Sequence, residues 1–336
     1  MPLVSVVMPA RNAAATVARA VASIQGQTFR DWELVALDDG SKDATRFILI
    51  EMAQLDPRIR VLRTKSGIAG ALNAGLAAAT GEFIARMDAD DEMMPERLAK
   101  QVAFLQANPD VGVVGSRVEF GGDLAKAAGY ALHVEWVNSL LTSEEIMLNR
   151  FVESPFAHPS VMFRRHLVYD HGNYRDGDFP EDYELWLRWM DVNVKMAKLP
   201  DTLLTWHDLP GRASRVDPRY SPEAFYKLKA FWLAEWLKRE IELPRTIWIW
   251  GAGRPTRLRA AHLAEHGVQI AGYVDIDAKK TGKKVGGVPV VAPADLPPRE
   301  QNFVLGYVGT RGARDIIRGR LLGTGRVEGR DFLMCA

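Results

Sequence analysis

The sequence predicts an α/β protein with a parallel, doubly wound sheet, followed by a second, smaller α/β domain. Over residues 3–91, short apolar runs alternate with stretches in which apolar residues recur at helical spacing. The same strand-then-helix pattern begins again after residue 243. The charge balance changes near that point, because residues 241–336 contain 15 basic and 9 acidic residues while the whole chain has a net charge of +1. A chain of 336 residues is long enough for two such domains.

The elements of the first domain follow from this pattern. A strand is expected over residues 3–8, where an apolar run ends at Pro9, and a helix follows with Val17, Val21 and Ile24 at helical spacing. The next elements are a strand over 32–37, a helix containing Phe47 and Met52, a strand over 59–62, a helix over 70–79 and a strand over 83–87. Strands that alternate with helices in this way favour a parallel sheet.

Composition excludes several classes of protein. The chain is 47% hydrophobic and 25% charged, which is typical of a globular protein rather than a disordered or fibrous one. Cys335 is the one cysteine, so no intrachain disulfide can form. The near-zero net charge argues against a nucleic-acid partner, and no apolar run reaches the roughly 18 residues of a membrane span. With no signal-peptide pattern at the N-terminus, we expect a cytoplasmic protein.

Acidic clusters follow two of the predicted strands. Asp39 lies in a cluster after the second strand, and Asp88, Ala89 and Asp90 follow the fourth. Ligands of such sheets bind at the carboxyl ends of the strands. Alternate residues of an extended segment point the same way, so Asp88 and Asp90 can converge on one hard cation, Mg²⁺ or Mn²⁺. The alternatives are a helix cap for the second cluster and a glycine-containing turn for the first.

Four segments, in order, carry a family resemblance: VSVVMPARN (4–12), DDGS (38–41), GIAGALN (67–73) and GEFIARMDADD (81–91). They resemble the family 2 glycosyltransferases, and the resemblance spans roughly residues 1–215. It implies a GT-A fold, a nucleotide-diphosphate sugar donor, a divalent metal and inversion at the anomeric carbon. It implies no organic cofactor.

The resemblance also assigns residues of the donor site. Asp39 would bind the base, Asp88 the ribose side, and Asp90 the metal on the diphosphate. The other residues expected to line the nucleotide pocket are Pro9, Ala10, Arg11, Gly67, Asn73 and Ala89. Some relatives have a base-stacking aromatic residue where Arg11 stands, so the identity of the base is left open.

The segment FPEDYELW (179–186) opens a helix and contains the acid pair Glu181 and Asp182. The family places its general base in a pair of this kind, which assigns that role to Asp182. An acceptor hydroxyl must lose its proton as it attacks the anomeric carbon, and a positioned carboxylate accepts it. The alternative is that both acids only favour the positive end of the helix dipole.

Further candidates lie in the second half of the domain. His158 and Glu181 are candidates for contacts to the sugar or the acceptor, although a structural role for His158 is equally compatible with the sequence. His207 is a candidate third metal ligand, and Arg212 is a candidate partner for phosphate oxygens.

The predicted domains are a glycosyltransferase domain over 1–220, an amphipathic linker helix over 221–243 and a Rossmann-like domain over 244–336. The helix stripe, which contains Trp232 and Trp236, is compatible with packing inside the chain, with a homodimer contact or with a membrane surface. The last domain carries Gly251 and Gly253 after a strand, with Asp275 24 residues after Gly251. These three residues form a candidate ligand site, although the third fingerprint glycine is absent. The sequence leaves open whether a nucleotide, a sugar nucleotide or no ligand binds there.

The sequence therefore favours a metal-dependent inverting glycosyltransferase that acts on a saccharide or lipid-linked saccharide acceptor. The expected setting is cell-surface polysaccharide or glycolipid synthesis, in the cytoplasm or at the inner face of the membrane. The alternative is a sugar-nucleotide-binding or NAD-dependent protein whose active part is the C-terminal domain.

Overall fold

The computed structural model describes residues 1–125, 127–209, 211–241 and 245–336. The chain divides into two compact units. The first contains Met1–Ile146 and Pro155–Val216, and the second contains Met147–Ser154 and Asp217–Ala336. The predicted α/β class is confirmed, since each unit has its own sheet with helices.

The first unit has an eight-stranded sheet. Its strands are β1 (Val4–Ala10), β2 (Trp32–Asp39), β3 (Ile59–Thr64), β4 (Phe83–Arg86), β5 (Glu92–Met93), β6 (Val111–Phe120), β7 (Met162–Arg164) and β8 (Lys195–Trp206). The helices between them are α1 (Val17–Gln25), α2 (Thr45–Leu55), α3 (Gly67–Ala78), α4 (Arg97–Ala107), α5 (Ala128–Ser139), α6 (Ser143–Asn149), α7 (His166–His171), α8 (Glu181–Asp191) and α9 (Ala213–Val216). The last turn of α6 belongs to the second unit.

The strand order of this sheet is β3-β2-β1-β4-β7-β6-β8-β5. Strands β1 to β4 are parallel neighbours, and β1, β2 and β4 are buried along their whole length, as expected for strands covered on both faces. The chain proceeds outward from β1 to β3 and then returns to β4 on the other side of β1. The carboxyl ends of β1 and β4 therefore flank the point where ligands bind in open α/β sheets.

Close packing positions the helix that follows β3. A Cβ atom at Gly75 in α3 would lie 2.5 Å from Val7 Cγ1 of β1 and 2.9 Å from Leu37 Cδ2 of β2. Real Cβ atoms do not approach other atoms so closely, so only glycine lets α3 pack this near to the sheet. Because α3 begins at Gly67 and carries Asn73, this contact also positions two of the predicted site residues.

The second unit contains a six-stranded sheet in the order β11-β12-β10-β9-β13-β14. The strands are β9 (Thr246–Trp250), β10 (Ile270–Val274), β11 (Lys284–Val285), β12 (Val288–Val291), β13 (Asn302–Gly306) and β14 (Phe332–Met334). The helices are α10 (Pro222–Glu240), α11 (Arg254–Glu265) and α12 (Ala313–Gly323). All strand pairs are parallel except the β11–β12 hairpin, which fits an additional α/β domain.

The predicted linker helix is present as α10, which begins at Pro222 with Ser221 as its N-cap and ends at Glu240. Its expected end at 243 and the domain boundary at 243–244 lie outside the described residues. The helix packs within the second unit, where Leu228, Leu233 and Leu237 are buried. The Trp236 ring lies against Phe151 and Phe303, with ring centroids 6.5 and 5.7 Å away. Part of the apolar stripe is therefore used inside the chain.

Within the described part of the chain, no helix combines the length and the apolar character that crossing a bilayer requires.

Candidate functional site

Three carboxylates cluster just beyond β4. Asp88, Asp90 and Asp91 each have an oxygen within 4.8 Å of the others. Burial, and next the Asp88 charge, raises the pKa of Asp90 above its ordinary value. The same causes raise the pKa of Asp91 well above its ordinary value, and its Oδ2 is buried without a hydrogen-bond partner among the described residues. A cation at this position would relieve that crowding of negative charge.

Two arginines approach this carboxylate cluster. Arg86 is buried at the end of β4 and pairs with Asp88 Oδ1. An Arg212 nitrogen lies 3.7 Å from Asp88 Oδ2, while the same guanidinium lies 4.9 Å from the centre of the Trp206 ring. The structure thus brings the predicted phosphate partner Arg212 to the acidic cluster.

The His207 side chain lies beside the cluster but is not grouped with it. Its Nε2 is 2.8 Å from Glu92 Oε1, and its Nδ1 is 3.3 Å from the carbonyl oxygen of Gly121. Its backbone N–H donates to Asp91 Oδ1 at 2.8 Å. The structure therefore groups Asp91, rather than the His207 ring, with Asp88 and Asp90. The third acid of the DADD segment was the sequence signal for Asp91.

The carboxylate cluster fits a divalent cation. Its donors are all oxygens, the ligand type that Mg²⁺ and Mn²⁺ prefer. The unpartnered Asp91 Oδ2 is the kind of buried acceptor that a metal satisfies. The residues that would hold the ion are Asp90 together with Asp88 and Asp91.

The end of β2 holds the predicted base-binding carboxylate in a fixed position. Asp39 Oδ1 accepts hydrogen bonds from Thr64 Oγ1 and from the Ser66 backbone N–H, both at 2.9 Å. No hydrogen bond to its Oδ2 arises from the described residues, so that oxygen is available to an external donor. Ser66 directly precedes Gly67, which adopts a φ of +73° at the start of α3. Asp39 and Gly67 therefore lie close together.

The loop after β1 is tied to the turn after β2. Pro9 and Ala10 are buried at the end of β1, and Arg11 is exposed just beyond it. The Asn12 N–H donates to Ser41 Oγ at 3.1 Å, and Asn12 Oδ1 accepts from the Lys42 N–H at 2.9 Å. These bonds bring the first two predicted motifs to the same edge of the sheet.

The Asn73 side chain joins α3 to the loop before α8. Its amide donates to the Tyr174 carbonyl at 2.8 Å and accepts from the Tyr174 N–H at 3.1 Å. The Tyr174 hydroxyl lies 2.8 Å from His158 Nε2, and His158 is buried. Burial, and next the charge of Arg86, lowers the pKa of His158 well below its ordinary value, which favours the neutral imidazole. The structure thus gives Asn73 and His158 internal partners.

The predicted acid pair opens α8. Glu181 is buried, while Asp182 is partly exposed and its Oδ1 accepts a hydrogen bond from the Tyr183 N–H at 2.8 Å. Burial, and next the Glu181 charge, raises the pKa of Asp182 to about 7. A carboxylate with a pKa near neutrality is suited to proton transfer at physiological pH.

An ion pair on α8 anchors the preceding loop. The buried Arg188 donates to Glu184 Oε1 at 3.0 Å, four residues earlier on the same helix. It also donates to the carbonyls of His171, Gly172 and Asn173. The loop is therefore bound to the helix that carries Asp182. Sequence reasoning missed this arginine, although its spacing from Glu184 was the signal.

The predicted C-terminal residues also come together. Gly251 adopts a φ of +109°, and a Cβ there would lie 2.6 Å from Val308 Cγ2. Gly253 is the N-cap residue of α11. Asp275 Oδ2 accepts from the Ala252 N–H at 2.8 Å, so the acid secures the glycine loop.

Comparison with known proteins identifies the family of this chain. The family described as "Glycosyl transferase family 2" matches residues 5–172. An uncharacterized glycosyltransferase of Haemophilus influenzae is 30% identical over 239 residues, covering 68% of this chain and 72% of the relative. The amylovoran biosynthesis glycosyltransferase AmsE of Erwinia amylovora is 33% identical over 188 residues, covering 54% and 66%. The Escherichia coli UDP-Glc:alpha-D-GlcNAc-diphosphoundecaprenol beta-1,3-glucosyltransferase WfgD is 31% identical over 192 residues, covering 55% and 68%.

Solved structures share the fold. The S. aureus TarS 1–349 complex with UDP-GlcNAc superposes with a TM-score of 0.57 at 20% identity, covering 78% of this chain and 71% of TarS 1–349. The mannosyltransferase PcManGT from Pyrobaculum calidifontis, in complex with GDP-Man and Mn²⁺, gives a TM-score of 0.50 at 21% identity, covering 79% and 70%. The chain belongs to glycosyl transferase family 2 and is a glycosyltransferase with a GT-A fold.

Proposed function

We propose that this glycosyltransferase moves a sugar from a nucleoside-diphosphate donor to an acceptor hydroxyl with inversion, and that it requires a divalent cation. One observation carries the proposal. The buried Arg86 pairs with Asp88 of the carboxylate cluster, and its charge also acts on Glu181 and Asp182 of the acid pair. The charge of one buried arginine therefore acts on both the carboxylate cluster and the candidate base.

The donor site is proposed at the carboxyl ends of β1, β2 and β4. Asp39 Oδ2 would accept a hydrogen bond from the base, and Asp88 would lie on the ribose side. The pocket lining is proposed to include Pro9, Ala10, Arg11, Gly67 and Ala89. Asn73 would act on this pocket through the Tyr174 loop, because its amide is already bonded there.

The diphosphate end is proposed at the carboxylate cluster. Asp90 would hold the cation together with Asp88 and Asp91, and His207 would join only if its ring left Glu92. When bound, Mn²⁺ or Mg²⁺ would supply Lewis-acid stabilisation of the departing diphosphate. The Arg212 guanidinium would contribute a second positive charge to the phosphate oxygens.

Asp182 is proposed as the general base. The acceptor oxygen attacks the anomeric carbon while the bond from that carbon to the diphosphate oxygen breaks, and the hydroxyl proton passes to the Asp182 carboxylate. This single displacement inverts the anomeric centre and requires no covalent sugar–enzyme intermediate. Glu181 supports the role because its charge raises the pKa of Asp182 toward neutrality.

The donor and acceptor classes are proposed from the similar proteins. UDP-GlcNAc is bound to TarS 1–349, and GDP-Man with Mn²⁺ is bound to PcManGT. The name of WfgD gives a lipid-linked sugar diphosphate as acceptor, and AmsE belongs to the biosynthesis of amylovoran. We propose a saccharide or lipid-linked saccharide acceptor in polysaccharide or glycolipid synthesis, with the protein in the cytoplasm, where a lone buried cysteine is stable.

The proposed domains are a catalytic domain over 1–220, a linker helix over 221–243 and a Rossmann-like domain over 244–336. The compact units differ from this division, because 147–154 and 217–220 belong to the second unit. The strand order of the second sheet supports the Rossmann-like assignment. From β9 the chain adds β10 and β12 on one side and then β13 and β14 on the other, as in doubly wound nucleotide-binding folds.

Calorimetric titration of the full chain with UDP, GDP and dTDP, each with and without Mn²⁺, tests the donor proposal. We expect metal-dependent binding of at least one nucleoside diphosphate. In a separate transfer assay with the matching sugar donor and an acceptor, we expect the same nucleoside diphosphate to form as a product. Equal affinities with Mn²⁺ and with EDTA for every nucleotide would refute the metal-dependent donor site.

A further inference from the structure

A cavity of about 500 Å³ lies in the second unit, apart from the donor site described above. It is formed where β9, β10 and β13 end: by Gly251 after β9, Ile276 after β10 and Gly309 after β13. The chain proceeds from β9 to β10 and β12 on one side and returns to β13 on the other. This is the switch point at which open parallel sheets bind ligands.

One wall of the cavity favours an anion. Gly253, Pro255 and Thr256, at the start of α11, line it, and no side chain of the described residues caps that helix. The N-terminus of this 12-residue helix carries a partial positive charge, and the N–H groups of Arg254 and Thr256 are its donors, because Pro255 has none.

Two cationic side chains give an independent indication of the same ligand chemistry. Arg259 and Arg320 both line the cavity. Among the described residues, neither forms an ion pair or a side-chain hydrogen bond; Arg259 only lies over the Tyr226 ring, 4.7 Å from its centre. Most other arginines of this unit do have a partner, such as Arg318 with Glu328. Two unpaired guanidinium groups beside an uncapped helix are suited to phosphate oxygens.

Apolar side chains form another part of the lining, here called the apolar wall. They are Trp250, Ile276, Val308, Ile316 and Ile317. Apolar side chains and positive charges that line one cavity fit a ligand with a flat ring at one end and phosphate at the other.

The acid after β10 argues against a dinucleotide. In dinucleotide-binding domains that acid accepts a hydrogen bond from the ribose. Here Asp275 Oδ2 accepts from the Ala252 N–H at 2.8 Å and from Lys280 Nζ at 3.1 Å, and Oδ1 accepts from the Asp277 N–H at 2.9 Å. The carboxylate is therefore committed within the protein.

We propose that the second unit binds a nucleoside phosphate in this cavity, at a site separate from the donor site. The phosphate lies at the start of α11 between Arg259 and Arg320, and the base lies on the apolar wall. The proposed donor site also takes a nucleotide, so the test has to separate the two.

Calorimetry on the full chain in EDTA, with the donor-site substitutions Asp39→Ala and Asp90→Asn, isolates the second site. The probes are AMP, ADP, UDP, GDP and NAD⁺. We expect one of the four nucleoside phosphates to bind at about one per chain. Adding Arg259→Ala and Arg320→Ala should weaken that binding at least ~10-fold, whereas Lys284→Ala, an exposed lysine of the same unit outside the cavity, should leave it unchanged.

Several results would overturn the proposal. They are binding of NAD⁺ alone, no binding in the donor-site variant, or binding that is insensitive to the two arginines in a protein whose thermal unfolding is unchanged. Arg320→Ala alone provides a check on folding, since this side chain is exposed on α12. The transfer assay is independent: if the wild-type chain binds a nucleotide in the second unit but transfers no sugar, the donor proposal alone is refuted.

Discussion

The Arg86 guanidinium pairs with the Asp88 carboxylate from two residues earlier along the chain. Arg86 is 4% exposed, and its Nε has no hydrogen-bond partner among the described residues. Because its charge also lowers the pKa of Asp182, the arginine links the carboxylate cluster to the candidate base. Such a buried cation is costly unless its carboxylate partners are present.

Replacing Arg86 should therefore change the pH dependence of transfer. In Arg86→Met the pKa of Asp182 rises further, so the acidic limb of the pH–rate profile moves to higher pH. We expect Arg86→Lys to restore part of the wild-type profile. Transfer rates measured from pH 5 to 9 give the midpoint of the acidic limb directly. Arg46→Met, at an exposed position on α2, is the matched control, and an unshifted limb in Arg86→Met would disprove the link.

Asp182→Asn should abolish proton transfer while sparing the donor site. The expected loss in transfer rate is about 10²–10⁴-fold, the usual contribution of a general base. In the wild type, the pKa of about 7 predicts a rate that falls as pH drops below 7, because the base becomes protonated. Asp178→Asn, in the exposed loop before α8, is the control for a lost carboxylate. If nucleoside diphosphate binding fell as much as transfer did, Asp182 would not be the base.

Parts of this site were predictable because they depend on local periodicity. The placement of Asp88 and Asp90 beyond a strand followed from an apolar run and from alternation along extended backbone. The pairing of Asn73 with Tyr174 was not predictable, since the two are 101 residues apart and no local pattern reports their contact.

Long-range contacts were also not predictable in the second unit. Apolar runs predicted its strands, but nothing in the sequence assigned Met147–Ser154 to this unit. That segment belongs there because Lys229 Nζ donates to the Val152 carbonyl at 3.0 Å and Phe151 packs on Trp236. Both contacts depend on the tertiary fold.

Asp91→Asn should separate the stability of the metal-free protein from its affinity for metal. Burial and the Asp88 charge raise the pKa of the Asp91 carboxyl group, which means that its ionised form is unfavourable in the folded protein. Asparagine carries no such charge, so we expect a higher melting temperature in EDTA. The amide still offers Oδ1 to the His207 N–H. The rise in melting temperature that Mn²⁺ produces in the wild type should shrink or vanish in this variant. Thermal unfolding in EDTA and in Mn²⁺ measures both effects.

The matched control for Asp91 is Asp31→Asn, which removes an exposed carboxylate before β2. It should leave the Mn²⁺-induced shift intact. A full shift in Asp91→Asn would instead restrict the cation to Asp88 and Asp90, and loss of the shift in His207→Gln would show that the imidazole leaves Glu92 to join the metal.

Asn73→Ala should destabilise the first unit and slow transfer through the Tyr174 loop. Two hydrogen bonds are lost, and the Tyr174 N–H and carbonyl are left without their side-chain partner, which predicts a loss of about 1–3 kcal/mol in the free energy of unfolding. Denaturant unfolding measures this loss. Since the loop leads into α8, a less ordered loop should lower kcat more than it raises KM for the donor. Asn173→Ala, an exposed neighbour of Tyr174, removes an amide without these bonds and should change neither quantity. An increase in donor KM alone would instead place the Asn73 amide in direct contact with the nucleotide.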